Sequence, residues 1–297
     1  MNFQIKNQQI AFFSHHESEI WMIHGIIAKF SKTLSMRKIL YFCFIIIIFN
    51  SCSQNENQSK SESSSHIYDT LNLVYEDPKT DSNSYFKLNY SLLDIVGFDK
   101  TINDSINNSL RYFIFEVEPQ LSKPLQELAL ESKSNLLNEY KGQLKDFPDN
   151  YNGYDHDINQ KLIFQNKQFI SFEIIRYSFS AGAHGMGWTD FVHHDLMTGK
   201  RLYLNDFFKS TNKLVQLAEK DFRKQMELKE NDDLEKYGFW FNNNKFHINE
   251  NFCFRNDTVE VIFNQYEIAP FSMGQITLKV PFKQIESELK SEMFANP

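Results

Sequence analysis

The chain has 297 residues, with 31 basic and 38 acidic side chains and a net charge of −7. Its 29 Phe and 13 Tyr favour a sheet-rich fold, and its few Gly and Pro exclude collagen-like and proline-rich low-complexity chains. Without the first 51 residues, 26 basic and 36 acidic side chains remain, for a net charge of −10. An acidic body disfavours nucleic acid and favours encounter with cationic partners, although the same charge also serves solubility alone.

The N-terminal region carries a predicted export signal. Met36 is followed by two basic residues and then by an apolar run over 39–49. This pattern is typical of a secretory signal peptide, which we place at 36–51, and the run is shorter than the roughly 20 residues of a membrane span. Residues 1–35 fit no targeting pattern, and we interpret them as a gene-model extension.

The end of the signal resembles a lipoprotein cleavage site. Cys52 directly follows the small residue Ser51, although Phe49 departs from the usual Leu. We therefore predict that Cys52 is acylated and anchors the chain to a membrane through lipid. The polar segment 52–65 has no apolar residue after Cys52 and is predicted to be a flexible tether. The alternative is an uncleaved N-terminal anchor.

The first half of the remaining chain is predicted to form two strands and then two helices. Alternating apolar residues predict the strands, and helical spacing predicts the helices, over 67–75, 85–92, 99–115 and 123–144. A segment bearing Pro, Asn and Gly follows, and we place a subdomain boundary there. The predicted organisation is an α+β subdomain over 66–150 and a second one over 151–297.

The second half reads as strands interrupted by helices. Strands are predicted over 155–165, 168–179, 188–196, 200–204, 245–248, 252–255, 258–263 and 275–280. Helices are predicted over 210–229 and 282–293, the latter opened by a proline. Runs of one element type, rather than strict alternation, predict an α+β fold with mostly antiparallel sheets.

Several histidines and aspartates have the side chains that bind metal ions in proteins, so a metal site is one interpretation of them. Its members are His184, His193, His194, Asp195, Asp155, His156 and Asp157. Neighbours on a strand point to opposite faces, so His193 and His194 cannot share one metal. Surface or turn histidines are the preferred reading. We predict no metal, no other cofactor and no catalytic residue, and the chain has no nucleotide-binding, esterase or zinc-peptidase motif.

The segments around 180–187 and 264–274 offer a candidate binding loop. Its glycines allow positive φ and close backbone approach. One interpretation is a shaped loop that presents His184 and backbone amides to a ligand. The preferred interpretation is a tight connection in which His184 bonds to neighbouring backbone. One interpretation of Glu267 is a general base. The preferred interpretation of this turn is structural, with Tyr266 and Phe271 packed in the core and Pro270 and Gly274 shaping the turn. The candidate residues are Gly182, His184, Gly185, Asp195, Tyr266 and Glu267.

Two further residues have a preferred structural reading. Trp240, between Phe239 and Phe241, offers either a stacking surface or core packing, and we favour the core. Cys253 lies between two phenylalanines in a predicted strand, which indicates a buried, inert thiol.

Four segments together carry a resemblance to a known family. They are the tyrosine-to-glycine stretch 177–185, the turn and apolar run 195–208, the turn 264–274 and the Val-Pro-Phe of 280–282. They resemble the extracellular domain shared by the anti-sigma factor RsiV and the non-catalytic region of the peptidoglycan deacetylase PdaC. The chain departs from that family at Ala181, where the family usually has Gly.

The resemblance implies an α+β envelope domain that binds a ligand, which is lysozyme in the anti-sigma factor. We therefore predict a non-enzymatic envelope lipoprotein that binds a protein or a glycan. A cationic, lysozyme-like muramidase and a peptidoglycan fragment are the candidate partners. One alternative is a cell-wall glycan hydrolase or deacetylase acting through His184. Another is a structural envelope component without a small ligand.

Overall fold

The computed structural model describes residues 66–77, 84–115, 123–147 and 152–294, which belong to one compact unit. The predicted signal peptide, the lipid attachment at Cys52 and the tether lie outside the described residues. Within the described ranges, no helix has the length and apolar character needed to cross a bilayer.

Six strands form the larger sheet and follow one another in chain order. They are β1 (Tyr68–Glu76), β2 (Ser84–Ile95), β3 (Asn152–Gln165), β4 (Phe169–Ser180), β5 (Met186–Asp195) and β6 (Arg201–Leu202). Strands β2 and β3 pair in parallel because two helices connect them, whereas every other neighbouring pair is antiparallel.

Two helices cover one face of this sheet, which is called the helical face. They are α1 (Lys100–Phe115) and α2 (Leu125–Asp146). Ile102, Ile106 and Leu110 recur at helical spacing and pack with Phe172 and Ile174 of β4. Burying each such side chain stabilises the fold by about 1.5–3 kcal/mol.

A three-stranded antiparallel sheet packs on part of the opposite face, which is called the open face. Its strands are β7 (Phe252–Arg255), β8 (Thr258–Phe263) and β9 (Ile276–Pro281). Cys253 and Ile262 meet Phe191 of the larger sheet. The other side of the small sheet joins α3 (Leu204–Phe207), α4 (Asn212–Gln225), α5 (Phe282–Ile285) and α6 (Ser291–Phe294) around a phenylalanine-rich core.

The predicted α+β class with mostly antiparallel sheets is confirmed. The boundary predicted at 150 falls between α2 and β3, and the larger sheet continues across it. One predicted element is absent and two differ in extent. Residues 245–248 form no strand, because Phe246 fills the core beside Phe222. The strand predicted over 200–204 ends at Leu202, because α3 begins at Leu204. The last helix breaks because Leu289 bridges to Phe208.

Candidate functional site

The connection between β4 and β5 lies at one end of the larger sheet. Ala181 has a left-handed φ of 50°, at the position where the family usually has Gly. Gly182 and Gly185 do not have positive φ. The His184 Nδ1 lies 3.2 Å from the Gly185 carbonyl oxygen, which is the neighbouring-backbone contact of the preferred interpretation. Gly185 is required for space instead, since a Cβ there would lie 2.2 Å from the hydroxyl oxygen of Tyr177.

An aromatic surface forms around this loop. The His184 ring stacks on Phe271 with a centroid distance of 3.7 Å and an interplanar angle of 17°. Tyr266 lies 5.7 Å from Phe271 and 6.4 Å from His184, between ring centroids. Tyr177 packs against Gly185 and is 41% exposed, while Tyr266 is 47% exposed. We call Tyr177, His184, Tyr266 and Phe271 the aromatic surface.

Side-chain amides hold this surface by binding the outer edge of β5. The Gly187 N–H donates to the Gln265 Oε1 at 3.0 Å, and the Thr189 N–H donates to the Asn264 Oδ1 at 2.8 Å. Further along, the Phe191 N–H donates to the Asn251 Oδ1 at 2.9 Å. These amides replace a neighbouring strand, because unpaired edge groups would otherwise need partners. We call Asn251, Asn264 and Gln265 the amide clamp.

Glu267 stabilises the amide clamp through hydrogen bonds to its carboxylate. Its carboxylate accepts from the Asn264 N–H at 2.9 Å and from the Asn249 Nδ2 at 2.5 Å. Both carboxylate oxygens therefore accept hydrogen bonds from the protein. The geometry fits the structural reading of Glu267 and does not support a general base. Tyr266, with a strained φ of 64°, is projected outward from the same turn, so the prediction that it packs in the core is wrong.

Asp195 does not join the aromatic surface. It ends β5, whereas the candidate loop precedes Met186, so the ten residues of the strand separate them by roughly 30 Å. Its carboxylate accepts from the Met197 N–H and from the N–H and hydroxyl of Thr198, at 2.7–3.0 Å. Asp195 therefore shapes a turn.

His193 and His194 point to opposite faces of β5, as predicted, but both are buried, so the surface reading is wrong for them. The His193 Nε2–H donates to the Phe252 carbonyl at 2.8 Å, and its Nδ1 accepts from the Ser171 hydroxyl at 2.7 Å. The His194 Nδ1–H donates to the Gly199 carbonyl at 2.8 Å. Burial lowers the pKa of each imidazole to about 4, so both are neutral at pH 7.

The upstream aspartates and histidine are also divided between faces. The His156 ring lies 3.2 Å from the hydroxyls of Ser178 and Ser180, and its burial lowers its pKa. Asp157 accepts from the Asn89 Nδ2 at 2.7 Å, while burial raises the pKa of Asp155. Among the described residues, no three His, Cys, Asp or Glu side chains are grouped closely enough to hold a metal ion.

The two other residues singled out from sequence differ in outcome. Cys253 is buried, and burial raises the pKa of its thiol to about 12, which makes it a poor nucleophile. Trp240 is 51% exposed and is therefore not a core residue, whereas Phe239 and Phe241 beside it are buried. The backbone N–H of Trp240 donates to the Ile268 carbonyl at 2.8 Å, so this segment lies next to the turn that contains Tyr266.

Two protein families match consecutive parts of the chain. Residues 79–187 match the family described as deacetylase PdaC, and residues 205–283 match the family of unknown function DUF3298. The chain is similar to one of these families in each of the two regions. The aromatic surface lies where the two matched regions meet, and the amide clamp ties the second region to β5 at the end of the first.

Known relatives agree with this assignment. The chain is 21% identical over 210 residues to the peptidoglycan-N-acetylmuramic acid deacetylase PdaC of Bacillus subtilis, which covers 69% of this chain but 42% of that protein. A DUF3298-family structure from Bacteroides fragilis has a TM-score of 0.61 at 21% identity, covering 75% of this chain and 93% of its own. One from Pseudomonas aeruginosa has a TM-score of 0.51 at 20% identity, covering 78% and 99%.

These similarities agree with the fold described above. Five of the residues predicted for the binding loop lie together at one end of the larger sheet. They are Gly182, His184, Gly185, Tyr266 and Glu267. It did not select Phe271 as the partner of His184, although Phe271 belongs to the same recognised turn. It also missed Asn251, for which no local pattern gives a signal.

Proposed function

We propose that this protein is a non-enzymatic envelope module that binds a ligand through the aromatic surface. The observation that carries the proposal is the stack of His184 on Phe271, with Tyr177 and Tyr266 exposed beside it. Exposed, rigidly held aromatic rings are characteristic of binding hot spots, because they bury large areas with little loss of side-chain entropy.

The support beneath the rings favours binding over simple packing. The amide clamp fixes the backbone on both sides of the surface, so a ligand would meet a pre-organised site. The left-handed φ values of Ala181 and Tyr266 lie on the two segments that form the surface. Such strain persists where the surrounding structure over-determines it, often at ligand sites.

We infer that the partner is cationic, with a lysozyme-like muramidase as the first candidate. Beyond residue 51 the chain has a net charge of −10, which attracts a basic protein and raises its association rate. Tyrosine rings also bind the guanidinium or ammonium group of a partner by cation–π contact. The alternative partner is a peptidoglycan fragment, which the charge does not favour but whose sugar rings would stack on the aromatic side chains.

The experiment measures the affinity of the full chain for lysozyme and for peptidoglycan fragments by calorimetry. We expect Tyr266→Ala to raise the Kd of the true ligand by about 10- to 30-fold, the usual loss for a hot-spot tyrosine. Tyr112→Ala is the matched control, because Tyr112 is 49% exposed on α1, at the helical face of the sheet. Equal effects of the two variants, or no binding by the wild type, would contradict the proposal.

An ionic-strength control separates fit from charge. Binding is measured at physiological salt, where the screening length is about 8 Å, against an unrelated protein of similar positive charge. A specific site retains affinity for the muramidase and loses it for the other protein. Equal affinity for both proteins would leave attraction by charge alone.

We also propose that Cys52 attaches the module to a membrane through lipid. The signal pattern at 36–51 and the polar tether at 52–65 support this. We expect Cys52→Ala to abolish incorporation of labelled fatty acid and to release the chain from the membrane fraction, whereas Cys253→Ala should change neither. Unchanged labelling in Cys52→Ala would refute lipid attachment at this residue.

A further inference from the structure

The two edges of the larger sheet are treated differently. At one edge, β6 and the amide clamp bind the backbone of β5. At the other edge, β1 pairs with β2 alone among the described strands. An unpaired edge is a template for another strand, and proteins usually block it with prolines, lysines, bulges or short strands.

Strand β1 has no proline, lysine or bulge, and its charged side chains are Asp69 and Glu76. It runs for nine residues from Tyr68 to Glu76 without proline or lysine, and its register with β2 is regular throughout. The Asp77 N–H donates to the Phe86 carbonyl, and the Val96 N–H donates to the Ile67 carbonyl. Odd-numbered residues therefore bond to β2, because bonding alternates along an antiparallel pair. The backbone groups of even-numbered residues point outward.

We propose that the free edge of β1 pairs antiparallel with β1 of a second copy of this chain. A twofold axis at Asn72 would place Thr70 opposite Val74 and Tyr68 opposite Glu76 of the other copy. Every outward N–H and C=O from Tyr68 to Glu76 then gains a partner. The two larger sheets become one continuous sheet with the helical faces on the same side.

The side chains suit this register. Val74 is apolar and 71% exposed, and it would be covered by Thr70 of the second copy. Asp69 would lie opposite Tyr75, whose ring carries the Lys133 ammonium of α2 at 4.7 Å from its centroid. Asp69, whose carboxylate lies 2.6 Å from the His66 Nε2 of its own chain, would then come within reach of Lys133 of the second copy, once on each side of the axis. In the neighbouring register with the axis at Leu73, Asp69 would oppose Asp77.

Cysteine cross-linking in the full chain tests both the pairing and its register. Two copies of residue 72 face each other at the axis, at a Cα separation of about 5.5 Å that suits a disulfide. Asn72→Cys should give a disulfide-linked dimer on a non-reducing gel. Thr70→Cys is the matched control, because the two copies of residue 70 would be four residues out of register, roughly 13 Å apart. It should give no more dimer than the wild type.

A charge exchange then tests the ion pair. In the Asn72→Cys background, Lys133→Glu should lower the rate of cross-linking about tenfold, since two attractive contacts become repulsive. Adding Asp69→Lys should restore that rate, whereas Lys161→Glu, on the open face, should leave it unchanged. Absence of the Asn72→Cys dimer, equal cross-linking by Thr70→Cys, or no rescue by Asp69→Lys would overturn the proposal. These outcomes do not depend on the ligand proposed for the aromatic surface.

Discussion

Acidification from pH 7 to pH 5 is expected to lower the free energy of unfolding by about 4 kcal/mol through His193 and His194. Each imidazole has its pKa lowered from 6.5 to about 4 by burial in the folded protein. Between these values the unfolded chain binds protons that the folded chain excludes, so stability rises with pH across this window. Below about pH 4 both states are protonated, and this contribution stops changing.

Urea unfolding at pH 5, 6 and 7 measures this loss. Because each imidazole contributes at most about 1.4 kcal/mol for each pH unit, His193→Gln should remove about half of the pH dependence that His193 and His194 cause, whatever its effect on absolute stability. His156 adds a contribution in the same direction, since burial lowers its pKa too. Ring-proton NMR gives the direct check. Titration of His193 and His194 above pH 6 would show that this account of acid sensitivity is wrong.

Phe207→Ala is expected to cost about 3–5 kcal/mol of stability, the usual loss for a phenylalanine truncated in a dense core. Phe207 is fully buried at the end of α3, and its ring lies 4.9 Å from Phe169, 5.1 Å from Phe254 and 5.6 Å from Phe252, between centroids. It therefore joins the larger sheet to the smaller one. Chemical denaturation of the purified variant measures the loss.

Tyr203→Ala is the control for this substitution. Tyr203 lies four residues before Phe207, is exposed, and contacts the Arg201 guanidinium over its ring. Its removal should cost less than about 1 kcal/mol, because an exposed cation–π contact contributes little. A similar loss in both variants would mean that Phe207 does not hold the two sheets together.

The regular elements were largely predictable because their patterns are local. The alternation in β1 and β2 and the helical spacing in α1 gave the correct element types within a few residues. The errors arise where tertiary contacts decide the backbone. Phe246 looks like part of a strand but fills a gap beside α4, and Leu289 leaves a helical pattern to bridge to Phe208.

The candidate site was partly predictable for the same reason. His184 and Tyr266 stand in conspicuous turns, so sequence patterns selected both. Both residues contact Phe271 because the amide clamp joins β5 to a turn about 75 residues away in sequence. No local sequence pattern predicts such a contact. Asp195 was grouped with them because it is close to His184 in sequence, yet the extended strand β5 carries it to the other end of the sheet.

Hydrogen exchange of the full chain, with and without a bound muramidase, tests the central claim most directly. The account predicts slower exchange on binding at 181–187 and 264–274, the two segments that form the aromatic surface, and no change in the helices of the helical face. Protection confined to α1 and α2, or protection that Tyr266→Ala leaves intact, would contradict the assignment of the binding site.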